Sequence, residues 1–201
     1  RWVFADMSVP GPYEADSDEC YFYITPTNGQ WTQQGQVSWQ NSDSHNFISS
    51  VATHEVYPGH FVQYLHSRKA PSKLSRLSYS YGFKEGWAHY SEQMMVEEGY
   101  GLDNLRVLRE QVSDAILRDC RLIVSLQMHT KGWTVEEATR FVTESMGDNL
   151  PYKGSVVRGT HDPMYLNYTL GKHMFLKLRE DYRREQGSAF SLKEFHDRAL
   201  S

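Results

Sequence analysis

The sequence predicts a mainly α-helical fold with a small antiparallel β element near the N-terminus. Three observations predict it. The first 45 residues are rich in Pro, Gly, Ser, Asn and Gln and hold only two β-like islands. From Asn46 onward, apolar residues recur at helical spacing. Stop signals such as Ala70-Pro71-Ser72 and Gly99 divide that pattern into separate helices. With 201 residues, 39% of them hydrophobic, the chain can bury one sizeable core or two small ones. We read residues 1–201 as a single domain, with a β/loop segment over 1–45 and a helical part over 46–201.

Taken in order, Tyr21 to Thr25 and Gln36 to Gln40 are expected to pair as antiparallel strands. Phe47, Val51, Val56, Phe61, Val62 and Leu65 predict one apolar helix interrupted at Pro58. Gly82 to Glu98 predicts a second helix. A third, from about Leu102 to His129, carries Leu105, Leu108, Val112, Ala115, Leu122 and Leu126 close to one stripe. Thr134 opens a fourth, with Glu136 and Glu137 in its first turn, where the helix dipole favours carboxylates. Residues 147–163 show no periodicity and contain three glycines and two prolines, which predicts a long functional loop. A fifth helix follows from about Met164 to Gln186, and a sixth from Ser191 to the end.

The formal charge of −4, without a basic run, argues against a nucleic-acid partner. No apolar stretch is long enough for a membrane span. The chain begins at Arg1, without an initiator methionine, and reads as the C-terminal catalytic part of a longer protein. Its missing N-terminal part is then its expected partner, and both the cytoplasm and the bacterial envelope or periplasm stay open as locations. Cys20 and Cys120 lack the paired spacing of a sulfur metal site and are expected to be free thiols.

The most informative segment is His54-Glu55-Val56-Tyr57-Pro58-Gly59-His60, a zinc-peptidase H-E-x-x-H signature opened by a Pro-Gly insertion. In the ordinary motif the histidines lie one helical turn apart and share a metal, while the glutamate activates water. Here they are six residues apart. On a regular helix that places them roughly 120° apart, on different faces. A metal site therefore requires a helix break. Pro58 supplies one, because its ring clashes with the His54 carbonyl, and Gly59 supplies the backbone freedom.

A hydrolytic zinc site needs three protein ligands and one open position. Glu85, twenty-five residues past His60, is the candidate third ligand. His89 and Glu92 project from similar faces of the same helix, so one of the three would ligate and the others support it. Glu92 is the candidate for holding a ligating imidazole. Glu55 is placed to act as general base. Tyr168 is the candidate oxyanion donor, with Arg158 and His161 as alternatives.

The run Thr53 to Gln63, followed by Glu85-Gly86-Trp87-Ala88, resembles the bacterial domain-of-unknown-function 885 family, whose members carry H-E-x-x-P-G-H-x-x-Q and E-G-W-A. Arg118, Arg121 and His129-Thr130-Lys131-Gly132-Trp133 resemble its next block, and Tyr168 to Arg179 its C-terminal block. The resemblance implies a gluzincin-like helical metallopeptidase, of carboxypeptidase or oligopeptidase type. The twenty-five-residue spacing from His60 to Glu85 also resembles that of the oligopeptidases related to thimet oligopeptidase, which implies His54, His60 and Glu85 as ligands of one Zn2+, or another divalent ion, and Glu55 as general base. His129 joins His89, Glu92, Arg158 and His161 as residues that would support a ligand or contact substrate. Two positions depart from the family pattern: Ser125 replaces an aspartate, and Asp162-Pro163-Met164-Tyr165 replaces Pro-Gly-Gln-Ala. They imply a subgroup with a different substrate pocket.

The expected substrate is a peptide or a small acyl compound, and the Tyr21 to Thr25 strand would hold an extended peptide by edge pairing. The rivals are a zinc amidase or esterase on a non-peptide substrate, and an inactive binding module with the same fold. Bland readings fit other residues better: core packing for Trp87 and Tyr90, carboxylate pairing for Arg118 and Arg121, and a solvated face for Arg179 to Arg184.

Overall fold

The computed structural model describes residues 5–14, 19–26, 29, 33, 36, 37, 45–78, 80–147 and 152–201. The chain is mainly helical, with one two-stranded antiparallel sheet near the N-terminus. Strand β1 (Ala5–Ser8) pairs with β2 (Tyr21–Ile24), Ala5 opposite Ile24 and Ser8 opposite Tyr21. This corrects the expected pairing of the Tyr21 strand with Gln36 to Gln40. Gln36 and Val37 are helical, and residues 38–40 lie outside the described residues. Burial of Ala5 beside the helices anchors β1 where local propensity alone gave no signal.

Nine α-helices follow among the described residues. They are α1 (His45–Glu55), α2 (His60–Ser67), α3 (Lys73–Leu77), α4 (Tyr81–Glu97), α5 (Leu105–Lys131), α6 (Val135–Met146), α7 (Lys153–His161), α8 (Leu166–Gln186) and α9 (Leu192–Leu200). The Thr134 cap of α6 is a full capping box: its side chain accepts from the Glu137 amide while the Glu137 carboxylate accepts from the Thr134 amide.

Two apolar clusters hold these helices together. Trp87, Tyr90 and Met94 of α4 pack against Phe175 of α8 and Phe195 and Leu200 of α9. Cys120 and Val124 of α5 pack against Ala138 and Val142 of α6 and against Tyr152 and Val156 at α7. The second cluster explains a correction. Residues 153–161, expected as loop, form a helix because Val156 and Gly159 are buried there, and that tertiary burial overrides weak local propensity.

The long helix α5 also differs from expectation. Leu105, Val112 and Leu126 of the predicted stripe are 76%, 45% and 46% exposed, and the buried face instead carries Gln111, Arg118 and Ser125 beside Val107, Cys120 and Val124. Its inward face is partly polar because it meets buried charge on α4. Helices α4 and α8 approach backbone to backbone at Gly86 and Gly171, where a Cβ on Gly86 would lie 2.5 Å from the Gly171 Cα. That contact brings Glu85, next to Gly86, close to Tyr168, one turn before Gly171.

Candidate metal centre

Helix α1 ends on His54-Glu55 and α2 begins on His60, so the expected break exists. The amides of Val56 and Tyr57 both donate to the Ala52 carbonyl, at 2.9 and 3.1 Å, and the helix stops there. The Tyr57–Pro58 peptide is cis. Gly59 has a φ of −65°, so a positive φ is not what demands glycine. Close approach does: a Cβ at Gly59 would lie 1.7 Å from the His54 carbonyl oxygen and 2.7 Å from that of Thr53. The turn folds back so tightly that the two imidazole rings, which an unbroken helix would hold on different faces, lie 4.8 Å apart at 83°.

Glu85 enters from the first turns of α4. Its Oε2 lies 3.6 Å from His54 Nε2 and 3.3 Å from His60 Nε2. One ligand atom from each of the three lies within 4.8 Å of the others. Donor atoms about 2.1 Å from a shared tetrahedral ion stand roughly 3.4 Å apart, so these separations fit a mononuclear site. Gln63 ties α2 to the start of α4 by donating to the Phe83 carbonyl, at 3.2 Å.

Behind the three residues lies a buried charged network. The Glu92 carboxylate faces His54 Nδ1 at 2.6 Å, His89 Nδ1 at 3.1 Å and the Arg118 guanidinium at 3.0 Å. Arg118 also meets Asp114, at 3.3 Å. A proton on His54 Nδ1, held by Glu92, leaves Nε2 directed at Glu85 and His60. Burial alone would lower the pKa of His54, but its hydrogen bonds to Glu85 and Glu92 win and push it up to about 9. Burial would raise Glu85, yet His54 and His60 hold it far below the ordinary carboxylate range. Glu92 is likewise lowered, against its burial, by Arg118 and His89. Two ionised carboxylates flanking His54 make a donor set that accommodates a cation, and without a metal a proton on His54 serves.

Tyr168 stacks on His54, with ring centroids 6.3 Å apart at 18°, and its hydroxyl is 3.5 Å from that of Tyr81. Burial, the nearby Glu85 charge and Tyr81 push its phenol far above the ordinary range, so it remains a hydrogen-bond donor. His54, Glu55, His60, Glu85 and Tyr168 all line one cavity of about 870 Å³. Ala5 and Met7 of β1 line it too. The cavity strand is therefore β1, and the expected peptide-holding strand at Tyr21 is its outer neighbour.

Other candidates lie elsewhere. His89 points to Glu92 and supports it. His129 Nε2 bonds the Gly159 carbonyl at 2.9 Å, Arg158 pairs with Asp162 at 3.0 Å, and His161 is exposed. None of these three is among the residues lining the cavity. The reason is the folding of 153–161 into α7, which packs on α5, gives His129 the Gly159 carbonyl as partner and leaves Arg158 to Asp162. The two departures from the family pattern also touch: the Ser125 hydroxyl donates to the Pro163 carbonyl at 3.2 Å, and neither residue lines the cavity. Arg121 stacks on Tyr165, 4.9 Å from its ring centre, and bonds the Ser155 hydroxyl. Of the Arg179 to Arg184 run, Arg179 pairs with Glu97 at 2.7 Å.

Sequence reasoning missed two features. Tyr81, one turn before Glu85, carried a signal in that spacing. The Trp87 indole N–H, which donates to the Pro58 carbonyl at 3.0 Å and the Gly59 carbonyl at 3.2 Å, carried none. As expected, Cys20 and Cys120 are free thiols.

A buried histidine, His89, and a half-buried one, His196, predict an acid limit. His89 is pushed down to about 4 by burial, and His196, whose Nε2 lies 2.9 Å from the Tyr90 hydroxyl, is pushed down to about 4 by burial and Arg179. The unfolded chain binds both protons near pH 6.5, while the folded chain stays neutral down to about pH 4. Their contribution to stability is complete above pH 6.5 and drains away toward pH 4. His89 accounts for at most about 3 kcal/mol, and the more exposed His196 for less. Urea unfolding between pH 7 and pH 4.5 is expected to show this loss, and His89→Gln to flatten it.

The comparisons agree with this architecture. Residues 4–201 match the family described as "Bacterial protein of unknown function (DUF885)". No curated protein matches. Among solved structures, the chain is similar to "the putative lipoprotein from Colwellia psychrerythraea", with a TM-score of 0.86, 25% identity and 98% of this chain covered. It is also similar to "a putative lipoprotein of unknown function from Shewanella oneidensis", with a TM-score of 0.82, 27% identity and 98% covered. The chain spans only about a third of either structure, 32% and 36%.

Proposed function

Since the chain belongs to the DUF885 family of bacterial proteins of unknown function, its chemistry has to be read from the site, and we propose that it is a gluzincin-like zinc-dependent metallopeptidase. The observation that carries this reading is the convergence of His54, His60 and Glu85 across a helix break, with Glu55 and Tyr168 lining the same cavity. His54 and His60 would hold the ion through Nε2 and Glu85 through its carboxylate, a donor set that suits Zn2+ and also other divalent ions. When bound, the ion supplies a Lewis acid that lowers the pKa of water to about 7 and polarises a carbonyl.

The chain's own residues do the rest. Glu55 takes the proton from the attacking water and returns it to the departing nitrogen. Tyr168 keeps its proton and donates it as a hydrogen bond to the carbonyl oxygen as charge develops there. Glu92 holds His54 in the tautomer that presents Nε2, and Arg118 holds Glu92. A cavity of about 870 Å³ with β1 along its wall suits an extended peptide. By analogy with the two solved structures described as "putative lipoprotein" that it resembles, we propose a location at the cell envelope. No helix among the described residues is long and apolar enough to cross a membrane.

Metal analysis of the purified protein is expected to give one zinc per chain, removable by chelator together with activity on a peptide library. Glu55→Gln should keep the zinc and lose about 10²- to 10⁴-fold in hydrolysis. A zinc-loaded protein that cleaves amide or ester compounds and no peptide would move the assignment to a non-peptide hydrolase. Failure to bind any divalent ion would leave the fold as a binding module.

A further inference from the structure

We infer that Trp87 is a positioning residue for the second histidine: its indole N–H, donated to the carbonyls of the Pro58–Gly59 turn, sets where His60 presents Nε2. The inference rests on the metal reading above. The two histidines are anchored differently. His54 is held directly, Nδ1 against Glu92 at 2.6 Å. His60 Nδ1 is buried and has no hydrogen-bond partner among the described residues. Beyond Glu85, which faces its Nε2 at 3.3 Å, its placement comes through its backbone, at the point where the helix restarts.

That restart is where Trp87 acts. Its N–H lies 3.0 Å from the Pro58 carbonyl and 3.2 Å from the Gly59 carbonyl, the two residues immediately before His60. The Gly59 carbonyl also accepts from the Gln63 amide at 3.1 Å, at the start of α2. The indole itself is fixed by Tyr90, Phe175 and His196, with ring centres 5.7, 5.6 and 5.3 Å away. Helix α4 thus delivers both the third ligand, Glu85, and, two residues later, the donor that aims the second. A buried tryptophan needs some acceptor in any core. This acceptor is the one irregular turn whose geometry decides whether two ligands share a face.

The test compares the whole chain with Trp87→Phe and with the same chain carrying benzothienylalanine at position 87, which keeps the indole shape and removes only the N–H. Zinc affinity is read by chelator competition, ligand geometry by the visible absorption of the Co2+ form, and folding by the thermal midpoint of metal-free protein. Both replacements are expected to weaken zinc about 10- to 100-fold and to change the Co2+ spectrum. Adding His60→Ala to either should then cost less than it does alone. Unchanged affinity and spectrum in a folded variant would overturn the role of Trp87 and leave the metal site standing. If Trp87→Phe fails to fold, the isosteric replacement decides. A parent chain that takes up neither zinc nor cobalt overturns the metal reading, and this inference with it.

Discussion

Gly59→Ala is expected to abolish metal binding and to destabilise the fold by more than about 4 kcal/mol, the range reserved for changes that cannot be relaxed away. The new methyl group would sit 1.7 Å from the His54 carbonyl oxygen and 2.4 Å from its carbon. Both atoms are backbone, so no side-chain rotation relieves the overlap. Opening the turn is the only escape, and it carries His60 away from His54 and Glu85. Thermal unfolding and zinc competition on the same sample check this. A stable Gly59→Ala protein with native zinc affinity would show that the turn is not what unites the histidines.

The second large effect is expected from Glu92→Gln. The substitution keeps shape and removes one charge from a carboxylate that is 1% exposed and serves His54, His89 and Arg118 together. Arg118, 7% exposed, would keep Asp114 as its one ion-pair partner among the described residues. Breaking one side of a buried ion pair costs about 3–5 kcal/mol, because the remaining charge stays desolvated. Zinc affinity should fall about 10- to 100-fold as well, since the charged carboxylate that holds His54 Nδ1 becomes a neutral amide, a weaker acceptor that fixes the tautomer less firmly. Adding Arg118→Met to Glu92→Gln is expected to recover part of the stability but none of the zinc affinity. Denaturant titrations and chelator competition separate the two losses, and recovery of both together would show that Glu92 acts only structurally.

Local signals made most helices legible. Thr134 with Glu137, Ser191, Gly99 and the Pro71 stop mark ends that need no partner to be recognised, because a cap or a missing N–H acts within one turn. The ligand candidates were legible for a similar reason: His54, Glu55 and His60 form one short motif, and Glu85 sits in a second. Elements whose stability comes from distant residues were not. Helix α7 has three glycines or β-branched residues in its first five positions and forms because Val156 packs against Cys120 and Val124. Arg158 and His161 read as site residues on a loop and His129 as one at the end of the long helix, and the packing of α7 on α5 places all three outside the cavity lining. Strand β1 was invisible because four residues carry too little pattern without their partner.

The sequence by itself determined which side chains are the candidate ligands and where the helix between the histidines must break, since a proline's missing N–H and a six-residue spacing are local facts. Only the tertiary structure decided that the break brings the rings to 4.8 Å, that Glu92 and Arg118 stand behind His54, and that Trp87 spans the turn. The contacts of Glu92, Arg118 and Trp87 join residues 26 to 64 positions apart, and no local preference encodes the direction in which a buried donor points. Close packing of α4 against its neighbours does.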